Sequence, residues 1–326
     1  MSAHHQSPLK DSAQERENLR SILAFAALQL EEGKGWIDNA FCRFGALILA
    51  AFLGSGCSTV NFAYTAAPTA LSFMADGYLD LDSEQASVLK DRLIATREWL
   101  RTTQMAGFSR FLAEVSARTT GTVNVEDVAW AVAEARKRWN VVAERLAAEI
   151  VDLAPLLGPE NLAAVRKKQA KSNAEYLKDF AGQSPDKRLR RRVGRIREEA
   201  ERWYGDLDDA QMERIRVLVA AMPANYPLVI EDRRRRQAEF AGALGAAAEK
   251  GADKEAVRRR FTQLLTSWDN GRTPAYQAFA AQYQAQSHRL TVEIVNMATP
   301  AQRETLKRRA QRWVDDLAAL ATHKEP

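Results

Sequence analysis

From about residue 81 onward, apolar residues recur every three or four positions, with charged residues between them. This period is typical of amphipathic α-helices, because positions three and four apart lie on one helix face. The clearest example covers residues 125–153, which predicts a helix of about eight turns. Glycine and proline, which interrupt helices, mark a few junctions: Gly121, residues 155–159, 182–185, 205–207 and 223–227, Gly251, and residues 269–274 and 299–300.

This pattern predicts an all-α fold of about eight or nine helices, arranged as an elongated bundle or as an array of helical hairpins. No run of β-branched residues alternates with polar ones, so no sheet is expected. We expect residues 81–326 to form this helical domain. The segment before it, residues 57–80, is aromatic and poor in charge, and we interpret it as a linker. No later segment approaches the ~18 uninterrupted apolar residues of a membrane span.

A short motif recurs at four of the predicted helix starts. Each copy has a residue suited to an N-cap three positions before an amide side chain, and an apolar residue four positions after the amide. In such a capping box, the side chains satisfy backbone N–H groups that have no partner within the first helical turn. Each copy taken alone is explained as an independent helix cap. The four pairs are Asp82 with Gln85, Gly158 with Asn161, Asp208 with Gln211, and Thr299 with Gln302.

The segment before the linker has the features of an export signal. Residues 44–53, FGALILAAFL, are too few for a membrane-spanning helix, which needs ~20 apolar residues, but they match the core of a signal peptide. The sequence GSGC follows and ends at Cys57. It resembles the bacterial lipobox, although Leu53 lies four positions before the cysteine instead of three. The alternative is a buried helix that ends at a glycine turn and carries a free core cysteine.

The lipobox resemblance implies a location in the cell envelope. Cleavage after Gly56 removes residues 36–56 as a signal peptide and leaves Cys57 as an acylated N-terminus. A diacylglyceryl or fatty acyl group on this cysteine is therefore expected, and no cofactor is. Ser58 resembles the sorting residue that releases lipoproteins to the periplasmic face of the outer membrane, in a cell that has two membranes.

Residues 1–35 are mostly polar and precede the apolar run, which is unusual for a secretion signal. We interpret them as an extension from a start codon assigned too far upstream. The alternative is a cytoplasmic segment before a membrane anchor, but the apolar run is short for such an anchor.

Few residues offer catalytic chemistry. Cys57 is the single cysteine of the mature chain, so neither an internal disulfide nor a cysteine nucleophile is expected. No histidine or cysteine pair has zinc-ligand spacing. We expect no enzyme. One cluster of carboxylates could suggest a metal site, but helix capping explains it better. The cluster consists of Asp76, Asp80, Asp82 and Glu84.

Basic residues occur in runs, and the chain has a formal net charge of +5 at pH 7. The longest run, residues 187–197, has seven basic residues and no acid. On an exported protein, this run could bind anionic lipid headgroups or acidic client proteins. The alternative is that it forms a solvent-exposed helix face whose basic residues pair with nearby acids. An exported protein does not meet nucleic acid, so nucleic acid is a partner only if the lipobox is unused and the protein stays in the cytoplasm. The aromatic residues that stack on single-stranded nucleic acid are also missing from these runs. The candidate contacts are Arg190, Arg191, Arg192 and Arg195.

Six tryptophans of the helical part are expected in the core, where each buries ~150–250 Å². The alternative is that a subset lines a groove for an apolar client. The six are Trp99, Trp130, Trp139, Trp203, Trp268 and Trp313.

Two family resemblances rest on these segments. The first is to an uncharacterised family of bacterial multi-helical lipoproteins, a domain of unknown function, and it implies no activity. Its matching segments are residues 57–64, 78–85, 173–176, 271–276 and 299–302, with Trp313 and Asp315. The second is to periplasmic helical chaperones with a Leu-Thr-x-x-Gln signature, similar to residues 81–85, 207–211 and 299–302. It implies a holdase that binds unfolded clients.

We therefore expect an exported, lipid-anchored interaction or accessory protein, with a holdase chaperone as the alternative. The anchor is tested by the mass of the mature N-terminus, which we expect to begin at acylated Cys57. An unacylated Cys57 with residues 37–56 still attached would contradict this localisation.

Overall fold

The computed structural model describes residues 59–266 and 272–322, and within these ranges every regular element is helical. The all-α class is confirmed. The described ranges contain eleven α-helices, so the predicted eight or nine helices are too few. The predicted cleavage, lipidation and sorting positions, Gly56, Cys57 and Ser58, lie outside the described residues, as does Trp268.

The helices follow each other through short connections. The first five are α1 (Thr59–Leu79), α2 (Ser83–Trp99), α3 (Met105–Arg118), α4 (Val125–Leu153) and α5 (Pro159–Tyr176). The others are α6 (Pro185–Tyr204), α7 (Asp209–Ala221), α8 (Tyr226–Ala248), α9 (Lys254–Thr266), α10 (Pro274–Asn296) and α11 (Pro300–Thr322). Two π-helical turns, Leu100–Gln104 and Leu177–Ala181, and a 3₁₀ turn, Ala154–Leu156, extend the ends of α2, α5 and α4.

Helix α1 is the first of the two additional helices. It occupies most of residues 57–80, for which the sequence predicts a linker. Tyr64 of α1 is 9 % exposed and packs with Leu100, Met105 and Trp139. One face of this segment therefore packs against the helical body.

The second additional helix results from a break between α2 and α3. The π-helical turn there has neither glycine nor proline. The sequence therefore predicts one continuous helix across it. The hydroxyl groups of Thr102 and Thr103 donate to the carbonyl oxygens of Glu98 and Trp99, at 2.9 and 2.6 Å. Such bonds to carbonyls one turn back disturb the regular ladder of helical hydrogen bonds.

Helix α4 lies at the centre of the molecule and packs against α2, α3, α9 and α10. Ala143 and Ala147 are fully buried, and their small side chains let neighbouring helices approach closely. Trp139 is 5 % exposed, and its indole Nε1 donates to the carbonyl oxygen of Leu265 at 2.8 Å. This bond ties α4 to the end of α9.

Helix α11 returns to the beginning of the chain and packs along α3. The Ser109 hydroxyl of α3 donates to the carbonyl oxygen of Val314 at 2.8 Å. Leu317 and Leu320 of α11 join Tyr64 in the same buried cluster. Among the described helices, none is both long and apolar enough to cross a bilayer.

The packing of α7 generates a stability prediction. Ile215 is fully buried, whereas Val217, two residues later, is 46 % exposed. We expect Ile215→Ala to lower the free energy of unfolding by about 2–5 kcal/mol, because it leaves a cavity. The control Val217→Ala should change it by less than about 0.5 kcal/mol. Chemical denaturation measures both variants, and equal losses would contradict the assigned faces of α7.

Candidate functional site

The four recurring motifs begin α2, α5, α7 and α11. At α2, an Asp82 carboxylate oxygen accepts the Gln85 N–H at 2.9 Å, and Gln85 Oε1 accepts the Asp82 N–H at 3.1 Å. The same reciprocal bonds join Asp208 with Gln211 at α7 and Thr299 with Gln302 at α11; their distances range from 2.8 to 3.3 Å. At α5 the cap is glycine, so only Asn161 contributes, accepting the Gly158 N–H at 2.7 Å.

The amides of the first two copies also bond to each other. Gln85 Nε2 donates to Asn161 Oδ1 at 3.2 Å, and Asn161 Nδ2 donates to Gln85 Oε1 at 3.1 Å. We call this reciprocal pair, Gln85 with Asn161, the first clasp. Its remaining donors bind backbone carbonyls of Leu156, Leu79 and Asp80 at 2.7, 2.9 and 3.0 Å. The first clasp thereby joins the end of α1 to the starts of α2 and α5.

The last two copies form a second clasp, Gln211 with Gln302. Gln211 Nε2 donates to Gln302 Oε1 at 2.8 Å, and Gln302 Nε2 donates to Gln211 Oε1 at 3.0 Å. The other donors bind the carbonyl oxygens of Met297 and Asp206 at 3.1 and 2.7 Å. This clasp joins the ends of α6 and α10 to the starts of α7 and α11.

An apolar groove of about 560 Å³ lies near the second clasp. Its walls come from α3 and α4 on one side and from α6, α10 and α11 on the other. Phe111, Trp130 and Trp203 are its large aromatic side chains. Tyr204 also lines it, and burial raises the pKa of this phenol to about 12.

Arg118 lies at the edge of this groove. Its guanidinium carbon is 3.8 Å from the centroid of the Trp130 ring, a cation–π contact. It also forms ion pairs of 3.2 Å with Glu114 and with Asp127. The Trp130 ring also contacts the Phe111 ring, with 6.1 Å between ring centroids and 48° between the ring planes. These contacts fix the indole in the wall of the groove.

The connection between α3 and α4 closes part of the groove and is stapled to α10 and α11. Asn296 exchanges two hydrogen bonds with the backbone of Val123, at 2.9 and 2.8 Å. Arg303 donates to the carbonyl oxygens of Thr119 and Gly121 at 3.4 and 3.3 Å. The groove is thus built from segments that are distant in sequence, and no local motif marks it.

The basic run of α6 does not face solvent as a unit. Arg190 is exposed, but Arg191, Arg192 and Arg195 are half-buried. Arg191 lies over the Phe180 ring at 4.6 Å and donates to the carbonyl oxygen of Asp179 at 3.0 Å. Much of the run therefore covers the end of α5, a use that its sequence does not indicate.

A second basic run, residues 233–236 of α8, contributes to a buried polar cluster. Arg233 is 4 % exposed and donates to Asn173 Oδ1 at 2.8 Å and to Ser172 Oγ at 2.6 Å. Its neighbour Asp232 is also 4 % exposed and lies 3.7 Å from Arg272. Two segments that carry the lipoprotein-family resemblance, 173–176 and 271–276, contribute Asn173 and Arg272 to this cluster.

The carboxylate residues near the end of α1 contribute to the local backbone structure. Asp76 accepts the Leu81 N–H at 3.0 Å, and Asp80 adopts a left-handed conformation with φ of 53° where α1 ends, which aspartate tolerates better than most residues. Within the described part of the chain, no group of three or more metal-ligating side chains occurs.

The tryptophans take different roles. Trp139 is buried in the core, and Trp99, Trp130, Trp203 and Trp313 are half-buried. Trp203 and Trp313 contact each other with 5.3 Å between ring centroids. Two of the half-buried rings, Trp130 and Trp203, line the groove.

Comparison with known families shows that a family of unknown function, DUF6279, matches residues 77–277, more than half of the chain. No curated protein and no solved structure matches the sequence. The matched range includes the first clasp, Gln211 of the second clasp, and the walls of the groove from α3, α4 and α6.

The second clasp generates a prediction about coupling. Gln211→Leu at a buried position leaves part-buried polar groups without a partner and should cost about 1–3 kcal/mol of unfolding free energy. Gln302 is half-buried, and its other partners are exposed, so Gln302→Leu should cost less. The double variant should cost less than the sum of the two, by about 0.5–3 kcal/mol.

Chemical denaturation of the four proteins measures this coupling. The control is Gln282→Leu on the exposed surface of α10, which should change the unfolding free energy by less than about 0.5 kcal/mol. Strictly additive losses would contradict the reciprocal bond.

Proposed function

Since the chain belongs to a family of unknown function, DUF6279, we propose its function from its own residues: it is a lipid-anchored accessory protein of the cell envelope that binds an apolar ligand in the groove between α3, α4, α6, α10 and α11. The single observation that carries this proposal is the groove itself. Its volume of about 560 Å³ falls within the ~300–1,000 Å³ of ordinary ligand sites.

The chemistry of the groove supports binding and suggests no reaction. Most of its lining consists of aliphatic and aromatic side chains, including Leu112, Val132, Ile294 and Leu306. Apolar surface of this kind, when it is left open to water, commonly marks a binding site. Burial of an apolar ligand there removes both surfaces from water, which provides the free energy of association.

The location follows from the lipobox resemblance of the sequence. In this proposal, Cys57 carries the acyl group, residues 36–56 are removed, and Ser58 directs the protein to the outer membrane. The groove then faces the periplasm, where apolar segments and lipids are available as ligands.

A holdase chaperone is the second candidate, and the open apolar groove favours it as well, because unfolded proteins expose apolar segments. The two candidates differ in selectivity. A holdase suppresses the aggregation of several unrelated unfolded clients, whereas an accessory protein leaves them to aggregate and retains one ligand or partner.

The groove is tested with paired variants on α4. Ala131 lines the groove, and Ala133, two residues later, is exposed outside it. In full-length protein with Cys57→Ser, which lacks the acyl group, we expect Ala131→Asp to weaken binding of an apolar fluorescent probe at least tenfold. A carboxylate in an apolar site must be desolvated when ligand binds. Fluorescence titration with N-phenyl-1-naphthylamine measures the affinity.

Ala133→Asp, the matched control, should bind the probe like the parent. Equal affinity of the parent and both aspartate variants would refute the groove as the binding site. Circular dichroism of each variant establishes that the helical content is unchanged. Aggregation assays with unrelated unfolded clients then separate the holdase from the accessory protein.

A further inference from the structure

The outer face of α1 is an exposed surface without charge along most of its length. Residues 59–75 of this helix contain no charged side chain. Tyr64 faces the core, whereas Thr65, Thr69 and Phe73, spaced four residues apart, are exposed on the side away from the core. The solvent side of a surface helix normally carries charged residues. The missing charges therefore favour a face that meets a surface other than water.

Phe73 is the most exposed of the large apolar side chains in the described residues, with 63 % of its surface accessible. The helix surface beside it is open as well, since a side-chain carbon added at Gly77 would meet no atom within 4 Å. Helices that lie at the boundary between lipid headgroups and acyl chains insert phenylalanine, tryptophan or leucine there. The first charged residue, Asp76, follows Phe73 and accepts the Leu81 N–H, so the neutral face extends through Phe73.

The predicted anchor lies directly before this helix. Ser58 alone separates Cys57 from Thr59, where α1 begins, and two residue steps span at most ~7 Å. The polar layer on each side of a bilayer is about 5–8 Å thick. The inference rests on the acylation of Cys57 in the proposed function, which holds the start of α1 at this layer. Because Tyr64 of α1 packs into the core, the helical body is held there too.

The length of α1 distinguishes two orientations on the membrane. Phe73 comes 14 residues after Thr59, which places it ~21 Å further along the helix axis. In an upright helix this ring would lie in water, beyond the polar layer, whereas a helix parallel to the membrane places it within the layer. The exposed, uncharged face that includes Thr65, Thr69 and Phe73 fits the parallel orientation.

We propose that this face of α1 lies on the lipid bilayer and inserts Phe73 among the headgroups. The acyl group of Cys57 and the face of α1 then form two contacts with the membrane. A single tether leaves a protein free to rotate about its anchor, but two contacts fix its orientation. The helical body is thereby docked on the membrane and does not extend from it on a linker.

Thiol labelling tests the orientation, because cleavage and acylation leave no free cysteine in the mature chain. Acylated protein is reconstituted into phosphatidylcholine vesicles, and aqueous iodide quenches a fluorescent label on the introduced cysteine. Labels on Thr65→Cys, Thr69→Cys and Phe73→Cys should be quenched about threefold less than one on Val217→Cys, since a face buried ~5–10 Å into the boundary is shielded from the ion. Val217, 46 % exposed on α7, is the control.

A second variant tests the role of the ring. Thr69→Cys keeps Phe73, so its label also reports on substitutions at that position. Adding Phe73→Asp should restore quenching of the Thr69→Cys label to the level of the control, because a carboxylate is costly to desolvate. Adding Val217→Asp should leave the label shielded. Both positions are exposed, so neither substitution disturbs the core.

Four results oppose the inference. Shielding that declines from Thr65 to Phe73 would show an upright helix. Quenching equal to that of the Val217 control, in a chain whose N-terminal mass shows acylated Cys57, would overturn the bilayer contact and leave the anchor intact. An unacylated Cys57 would overturn both. Shielding without vesicles in full-length Cys42→Ser/Cys57→Ser protein would show that a second copy or the preceding residues cover the face.

Discussion

Buried amide side chains with complete hydrogen bonds are the constraint around which the connections of this protein are arranged. A primary amide has two donor hydrogens and an acceptor oxygen, and burying it without partners is costly. Gln85 and Asn161, 5 % and 1 % exposed, meet this requirement by bonding to each other, to cap N–H groups and to carbonyls of the preceding segments. Another pairing of helix starts would leave these amides unsatisfied, so the clasps favour one arrangement of helices over its competitors.

The sequence predicts the parts of this arrangement that depend on neighbouring residues. Helical periodicity and the four cap motifs are local, and the starts of α2, α5, α7 and α11 follow from them. The pairing of caps is a contact across 76 or 91 positions, for which the local pattern has no signal. Helix α1 was missed because low charge is expected of a buried helix as well as of a linker. The break before α3 is not predicted because the π-helical turn that makes it contains neither glycine nor proline.

The candidate site was only partly predictable, and two tryptophans of α4 illustrate why. Trp130 and Trp139 are nine residues apart, which places them on opposite faces of a helix. Periodicity can separate the two faces, but only the packing of other helices decides which one is covered. Helix α9 covers Trp139, and Trp130 faces the groove. Similarly, Arg191 and Arg195 of α6 are half-buried and lie over the Phe180 ring, a contact that follows from tertiary structure.

The walls of the groove have a consequence for the order of events during synthesis. Helices α3 and α4 are made early, while α10 and α11, which supply the opposite walls and the Asn296 and Arg303 staples, are made last among the described helices. Until α11 has docked on α3, the apolar lining is an open surface that can adhere to other chains. The groove therefore exists only in the finished molecule, and a chain stopped before α11 exposes its apolar lining as a surface that can aggregate.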